Sequence, residues 1–126
     1  MQVRLFASLL LAGISSIHTV HAQSWNYQAF GDRNQITLGH ITLEQKDGAP
    51  KLQFFAPRMD ACWTGELDAT VTRTESSIVV TPAPRIKGCQ EIRVVLKADG
   101  SGGVREEKRG NDWVPDGRER LLTLRK

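Results

Sequence analysis

The side chains in this sequence that could carry chemistry are few, and their spacing narrows the choice further. Histidine occurs three times, at His18, His21 and His40. The first two lie in a segment that reads as a removable leader. His40 is then the only imidazole left for a Ser-His-Asp or Cys-His arrangement. Glu66 and Asp68 are two apart in an alternating stretch, which puts both carboxylates on one side of a strand at about 7 Å, within the range of glycosidase pairs. They fall on the side opposite Trp63 and Leu67, however, and a solvated outer face accounts for them better. A lone histidine is more often structural or superficial than catalytic, so no enzyme is expected. One histidine and a paired set of cysteines cannot make a zinc site. Asp99-Gly100-Ser101-Gly102-Gly103 offers oxygen donors and flexible glycines, but lacks the spaced carboxylates and terminal glutamate of a calcium loop. It reads as a hairpin turn, and no cofactor is expected.

The first 22 residues read as an address. Met1-Gln2-Val3-Arg4 is a short positive start, Leu5 to Ile14 is an apolar run, and Val20-His21-Ala22 places small residues for cleavage after Ala22. The run is shorter than the roughly 20 residues a spanning helix needs. Leu11-Ala12-Gly13 is followed by Ile14 and not by the cysteine that lipidation requires, so no membrane anchor is expected. Residues 23–126 remain as one β domain, periplasmic or secreted. Losing Arg4 with the leader leaves 16 basic against 14 acidic side chains, too even a balance for nucleic acid, whose binders carry a concentrated basic stripe. Export makes Cys62 and Cys89 an expected disulfide, and they lack the Cys-x-x-Cys spacing of a redox pair. Closing a loop of this length stabilises a fold by ~3–4 kcal/mol.

The elements that must position these residues all read as strands. After Cys62, the residues Trp63, Gly65, Leu67, Ala69 and Val71 alternate with polar neighbours, the pattern of a half-buried antiparallel strand. Thr74-Glu75-Ser76-Ser77 turns the chain into Ile78-Val79-Val80-Thr81. Upstream, Trp25 to Ala29 alternates and Gly31-Asp32-Arg33-Asn34 is a turn cluster. Ile36 and Leu38 share one parity, Ile41 and Leu43 the other, which predicts a β-bulge at Gly39-His40. Asp47-Gly48 is a strong hairpin signal, and Pro57-Arg58-Met59-Asp60 forms a loop. Downstream, Ile92, Val94 and Leu96 alternate, and Asp99 to Gly103 turns. Val104 to Arg109 is nearly all charge, predicting an exposed or edge strand. Gly110-Asn111-Asp112 turns again, Trp113-Val114 leads into Pro115-Asp116-Gly117, and Leu121 to Leu124 closes the chain.

About eight short strands joined by turns predict an all-β antiparallel meander. Closing it into a small barrel would remove exposed edges, and a two-sheet sandwich is the alternative. Trp25, Trp63 and Trp113 could line a cavity at the barrel mouth, although large aromatics more often plug small barrels.

Ser101-Gly102-Gly103-Val104-Arg105, then Trp113, then Asp116-Gly117 before Leu121, resembles the periplasmic C-type lysozyme inhibitors over about 25 residues. That resemblance implies a small disulfide-bonded eight-stranded barrel in which a Ser-Gly turn and a later Lys-Gly turn enter the acidic cleft of lysozyme. Asp116 stands where the family has lysine, with Arg118 and Arg120 close enough to replace it. Arg105 lies near the position of the family's usual aromatic.

The expected function is therefore a non-catalytic binding or inhibitor-type module, monomeric, presenting charged glycine-rich turns to a protein such as a cell-wall hydrolase or to another envelope component. Its candidate contact residues are Ser101, Gly102, Arg105, Trp113, Asp116, Arg118 and Arg120. The alternative is a lipocalin-like carrier of a small apolar ligand, with the tryptophans around its mouth.

Overall fold

A computed structural model describes residues 22–30, 33, 35–56, 60–116 and 119–124; for residues 27, 29, 30 and 119–124 only the backbone is described. Apart from Ala22, the segment expected to be a leader lies outside them, as do Pro57, Arg58 and Met59 and most of the 31–34 turn cluster. The described residues form nine strands: β1 (Ala22–Phe30), β2 (Ile36–Lys46), β3 (Ala49–Phe55), β4 (Glu66–Arg73), β5 (Ser77–Pro82), β6 (Ile92–Lys97), β7 (Gly103–Arg109), β8 (Asp112–Pro115) and β9 (Glu119–Leu124). All pair antiparallel in one sheet of order β8-β7-β6-β5-β4-β3-β2-β1-β9. The chain is thus an all-β meander with a single sheet rather than two. By its hydrogen bonds that sheet is open, with β8 and β9 as edges.

Alternation decides which side chains are buried. Ile41, Leu43, Leu52, Phe54, Leu67, Ile78, Val80, Ile92, Val94 and Leu96 point to one face and form the core with Trp25 and Trp63. Burying one such side chain contributes about 1.5–3 kcal/mol, so this row is the main favourable term in folding. β4 links the two halves of the sheet, pairing with β3 through residues 66–68 and with β5 through residues 69–73. The strand predicted to begin at Trp63 begins instead at Glu66, because Ala61–Trp63 is a 3-10 turn capped by the Asp60 carboxylate, which accepts from the Cys62 amide.

Turn chemistry sets several registers. Asp47 and Gly48 both have left-handed φ, 53° and 79°, the geometry of a two-residue hairpin whose twist matches the strands it joins. The Cys62–Cys89 disulfide is present, with Cα atoms 6.1 Å apart. It ties the 3-10 turn to the segment before β6, and both half-cystines pack against the core. A second clasp lies beside it: the Arg85 amide donates to Cys62 O at 2.9 Å, and the Arg85 guanidinium donates to the carbonyls of Thr64 and Glu66.

Two further expectations fail. The pairing of β1 with β2 runs unbroken from Ala22↔Glu44 to Phe30↔Ile36, so no bulge forms at Gly39-His40. Continuous pleating instead turns Ile36 and Leu38 outward, 56 % and 67 % exposed. The irregularity is on the other side of β1, between Asn26 and Gln28 where it meets β9. The charged segment, β7, is also no edge: it pairs with β6 and β8, and its side chains from Gly103 to Lys108 are half-buried.

Candidate functional site

Consecutive hairpins of a meander turn at alternate ends of the sheet. The turns at Asp47-Gly48, Thr74–Ser76 and Ala98–Gly102 therefore share one rim, and Gly110-Asn111 lies at the opposite end. On the shared rim the second and third turns are tied together, because the Ala98 amide donates to Ser76 O at 2.9 Å. Each is also braced internally. Thr74 and Ser77 exchange backbone and hydroxyl hydrogen bonds. The Ser101 amide donates to Asp99 Oδ1 at 2.9 Å, Gly100 N to Lys97 O at 3.0 Å, and Lys97 N to Gly102 O at 2.8 Å. Hydrogen bonds from the Ser101 side chain and amide hold the Asp99 carboxyl below its ordinary pKa. Between the two turns lies a cleft of about 450 Å³ lined by Glu75, Ser76, Ser77, Lys97, Ala98 and Asp99.

The structure places the predicted contact residues in three regions. Ser101 and Gly102 are on this rim. Arg105 and Asp116 lie together where β7 meets the end of β8: Asp116 N donates to Arg105 O at 2.8 Å, and their side chains pair at 3.8 Å. Arg105 also approaches Glu107 at 3.7 Å. Register puts Arg105 and Glu107 opposite Val94 and Ile92, on the same face as the core. Trp113 pairs with Lys108 on the reverse, outer face. There the Arg93 guanidinium sits 4.5 Å over its ring and the Lys108 ammonium 5.9 Å away, while Arg93 bonds Glu106 at 2.6 Å. Cation–π contact and ion pair together explain how so charged a strand can be half-buried. Arg118 lies outside the described residues. Arg120 is in β9 with its backbone paired to Gln28, and its side chain is not described.

Among the described residues, Ser101 and Gly102, Arg105 and Asp116, and Trp113 thus lie on the rim, the inner face and the outer face respectively. The tryptophans do not surround a mouth. Trp25 and Trp63 are core residues, 1 % and 4 % exposed, and Trp113 is on the other face.

The remaining chemistry-bearing residues belong to the outer face. His40 stacks on Phe55 with ring centroids 4.5 Å apart. Glu66 and Asp68 point outward as expected, and each is met by a lysine: Lys46 bonds Glu66 at 2.6 Å, and Lys51 bonds Asp68. The bond to Lys51 lowers the pKa of Asp68, and bonds to Glu66 and Glu44 raise that of Lys46. Among the described residues no cluster of three or more His, Cys, Asp or Glu could hold a metal ion.

Sequence reasoning missed a second cleft, of about 470 Å³, on the inner side of the sheet toward the same rim. Its lining includes Gln23, Leu43, Glu44, Gln45, Val71 and Arg73. Only the coincidence of parity across β1, β2 and β4 could have signalled it, and that needs the register. No protein family, curated protein or solved structure matches this chain.

Proposed function

We propose that this chain is an exported, non-catalytic binding module: a small barrel-like scaffold that docks a protein partner through the rim carrying the Thr74–Ser76 and Ala98–Gly102 turns. The observation that carries the reading is the Ala98-to-Ser76 hydrogen bond. It fuses two polar turns into one braced surface beside a cleft, and surfaces ordered before binding lose less entropy on association.

Closure of the sheet into a barrel is part of this proposal. Alternation along the meander makes β8 and β9 run the same way, and only residues 116–118 separate them. Pro115 pairs with Glu106 of β7, and Glu119 pairs with Ala29 of β1. Four residue steps span at most about 14 Å, so β7 and β1 must approach each other there. β9 also lies against β7. Export is supported by the leader-like first 22 residues and by the disulfide.

The resemblance to C-type lysozyme inhibitors suggests a cell-wall hydrolase as the partner, with Ser101-Gly102 as the entering turn. The carboxylate of Asp116, which would oppose an acidic cleft, is paired with Arg105 at 3.8 Å. Calorimetric titration against a panel of wall hydrolases that includes lysozyme tests the proposal. Saturable micromolar binding, weakened by Ser101→Trp and unchanged by Lys87→Glu in the β5–β6 loop, is the expected outcome. Absence of saturable binding across the panel would refute it.

A further inference from the structure

The inner face continues past the last layer of the core. Gln23 pairs with Leu43, Val71 with Val80 and Arg73 with Ile78, so Gln23, Leu43, Gln45, Val71 and Arg73 share the parity of the buried core residues. Instead of filling the space between β1, β2 and β4, they leave the cleft of about 470 Å³, a size typical of small-molecule sites at ~300–1,000 Å³. Its floor is apolar through Leu43 and Val71. Its polar groups are the amides of Gln23 and Gln45 and the guanidinium of Arg73.

Among the described strand cations, Arg73 and Lys97 meet no carboxylate, and of the two only Arg73 lines this cleft. Lys46, Lys51, Arg93, Lys108 and Arg109 each meet a carboxylate, and Glu44, the acid lining the cleft, is held by Lys46 at 3.3 Å. The Arg73 guanidinium makes no hydrogen bond or ion pair among the described residues. One inner-face position further along β1 from Gln23 stands Trp25, buried in the core.

From these observations we propose that the cleft binds a single free acyl carboxylate of fatty-acid type. Its chain lies on Leu43 and Val71 toward the core, and its carboxylate is held by Arg73 at the mouth. A guanidinium suits that headgroup because its fork donates two parallel hydrogen bonds to a carboxylate. This site lies on the inner face rather than on the rim turns, although Arg73 directly precedes Thr74 of the docking turn; the dodecanoate titration needs no protein partner, so the two readings fail separately.

The probe is dodecanoate below its micelle onset, with dodecanol and butyrate as the arms lacking charge and chain, and anionic phospholipid vesicles as the membrane arm. Tryptophan fluorescence follows binding, and Trp25→Phe assigns the signal. Expected are one-to-one saturation by dodecanoate, no binding of butyrate, and a loss of about tenfold or more in Arg73→Gln, the size of a lost charged hydrogen bond. Dodecanol should bind Arg73→Gln and the unmodified chain equally. Arg73 is exposed on a strand end, so circular dichroism should show Arg73→Gln folded. A Val71→Phe variant, which fills the floor, should weaken both long-chain probes. Lack of saturation by dodecanoate overturns the proposal, as does equal affinity in Arg73→Gln. Vesicle binding without dodecanoate binding overturns it in favour of a membrane surface.

Discussion

Opening the Cys62–Cys89 bond should remove about 3.5 kcal/mol of stability. The two half-cystines are 27 residues apart. Chain entropy for a closed loop of that length amounts to about 12 cal/mol/K, or about 3.5 kcal/mol at 25 °C. The native side of the balance changes little, because the loop encloses β4 and β5, which stay paired to β3 and β6. The Arg85 clasp also still joins the same two segments. For a domain with a typical ~5–15 kcal/mol in total, that is a quarter of its stability or more. Urea unfolding followed by tryptophan fluorescence, comparing the oxidised chain with Cys62→Ser/Cys89→Ser, measures the difference. With a slope of about 1.5 kcal/mol/M, the midpoint should fall by about 2 M. A fall under about 0.5 M at unchanged slope would show that other contacts fix this corner and that the entropy reasoning is wrong.

Arg85→Ala should cost about 1–2 kcal/mol by leaving the Thr64 and Glu66 carbonyls to water. The loss should grow in the Cys62→Ser/Cys89→Ser background, since the clasp and the disulfide join the same segments; a double-mutant cycle in urea measures the coupling. Gly103→Ala should destabilise by about 2–3 kcal/mol in the same assay, because the added Cβ would sit 2.5 Å from the Val95 carbonyl oxygen and 3.1 Å from Leu96 Cα, moving β7 off β6. Asp68 and Asp99 both titrate below their ordinary 3.8 in the folded chain. Their contribution is present above that value and lost as pH falls through the lowered folded ones. The urea midpoint should therefore drop below about pH 4, and less steeply in Asp99→Asn. Lys46 and Lys51 titrate above their ordinary 10.5, so what they add is present below that pH and lost only as pH rises through the raised values; the midpoint should decline above it.

What could be read in the sequence was whatever local pattern dictates. Asp47-Gly48 specifies its own hairpin, the alternation of Ile92, Val94 and Leu96 specifies a core strand, and Cys62 with Cys89 specifies a cross-link. What depends on pairing between distant strands was hidden. Ile36 and Leu38 imply a bulge only if apolar side chains must face inward, whereas unbroken pairing with β1 exposes them. The charges of β7 suggested an edge because their partners, Arg93 on β6 and Asp116 beyond β8, come from other strands. The same holds for the candidate site. Ser101 and Gly102 fall on the rim, but alternation of hairpin ends separates them from Trp113. Arg73 carries no local signal until β4 is set beside the inner faces of β1 and β2.

The central claim, that a partner docks on the rim of tied turns, is tested most directly by amide hydrogen exchange with and without a saturating wall hydrolase. The account predicts slowed exchange confined to residues 74–77 and 97–102. Protection centred instead on the exposed outer face around Leu38 and Phe55, with the rim unchanged, would contradict it.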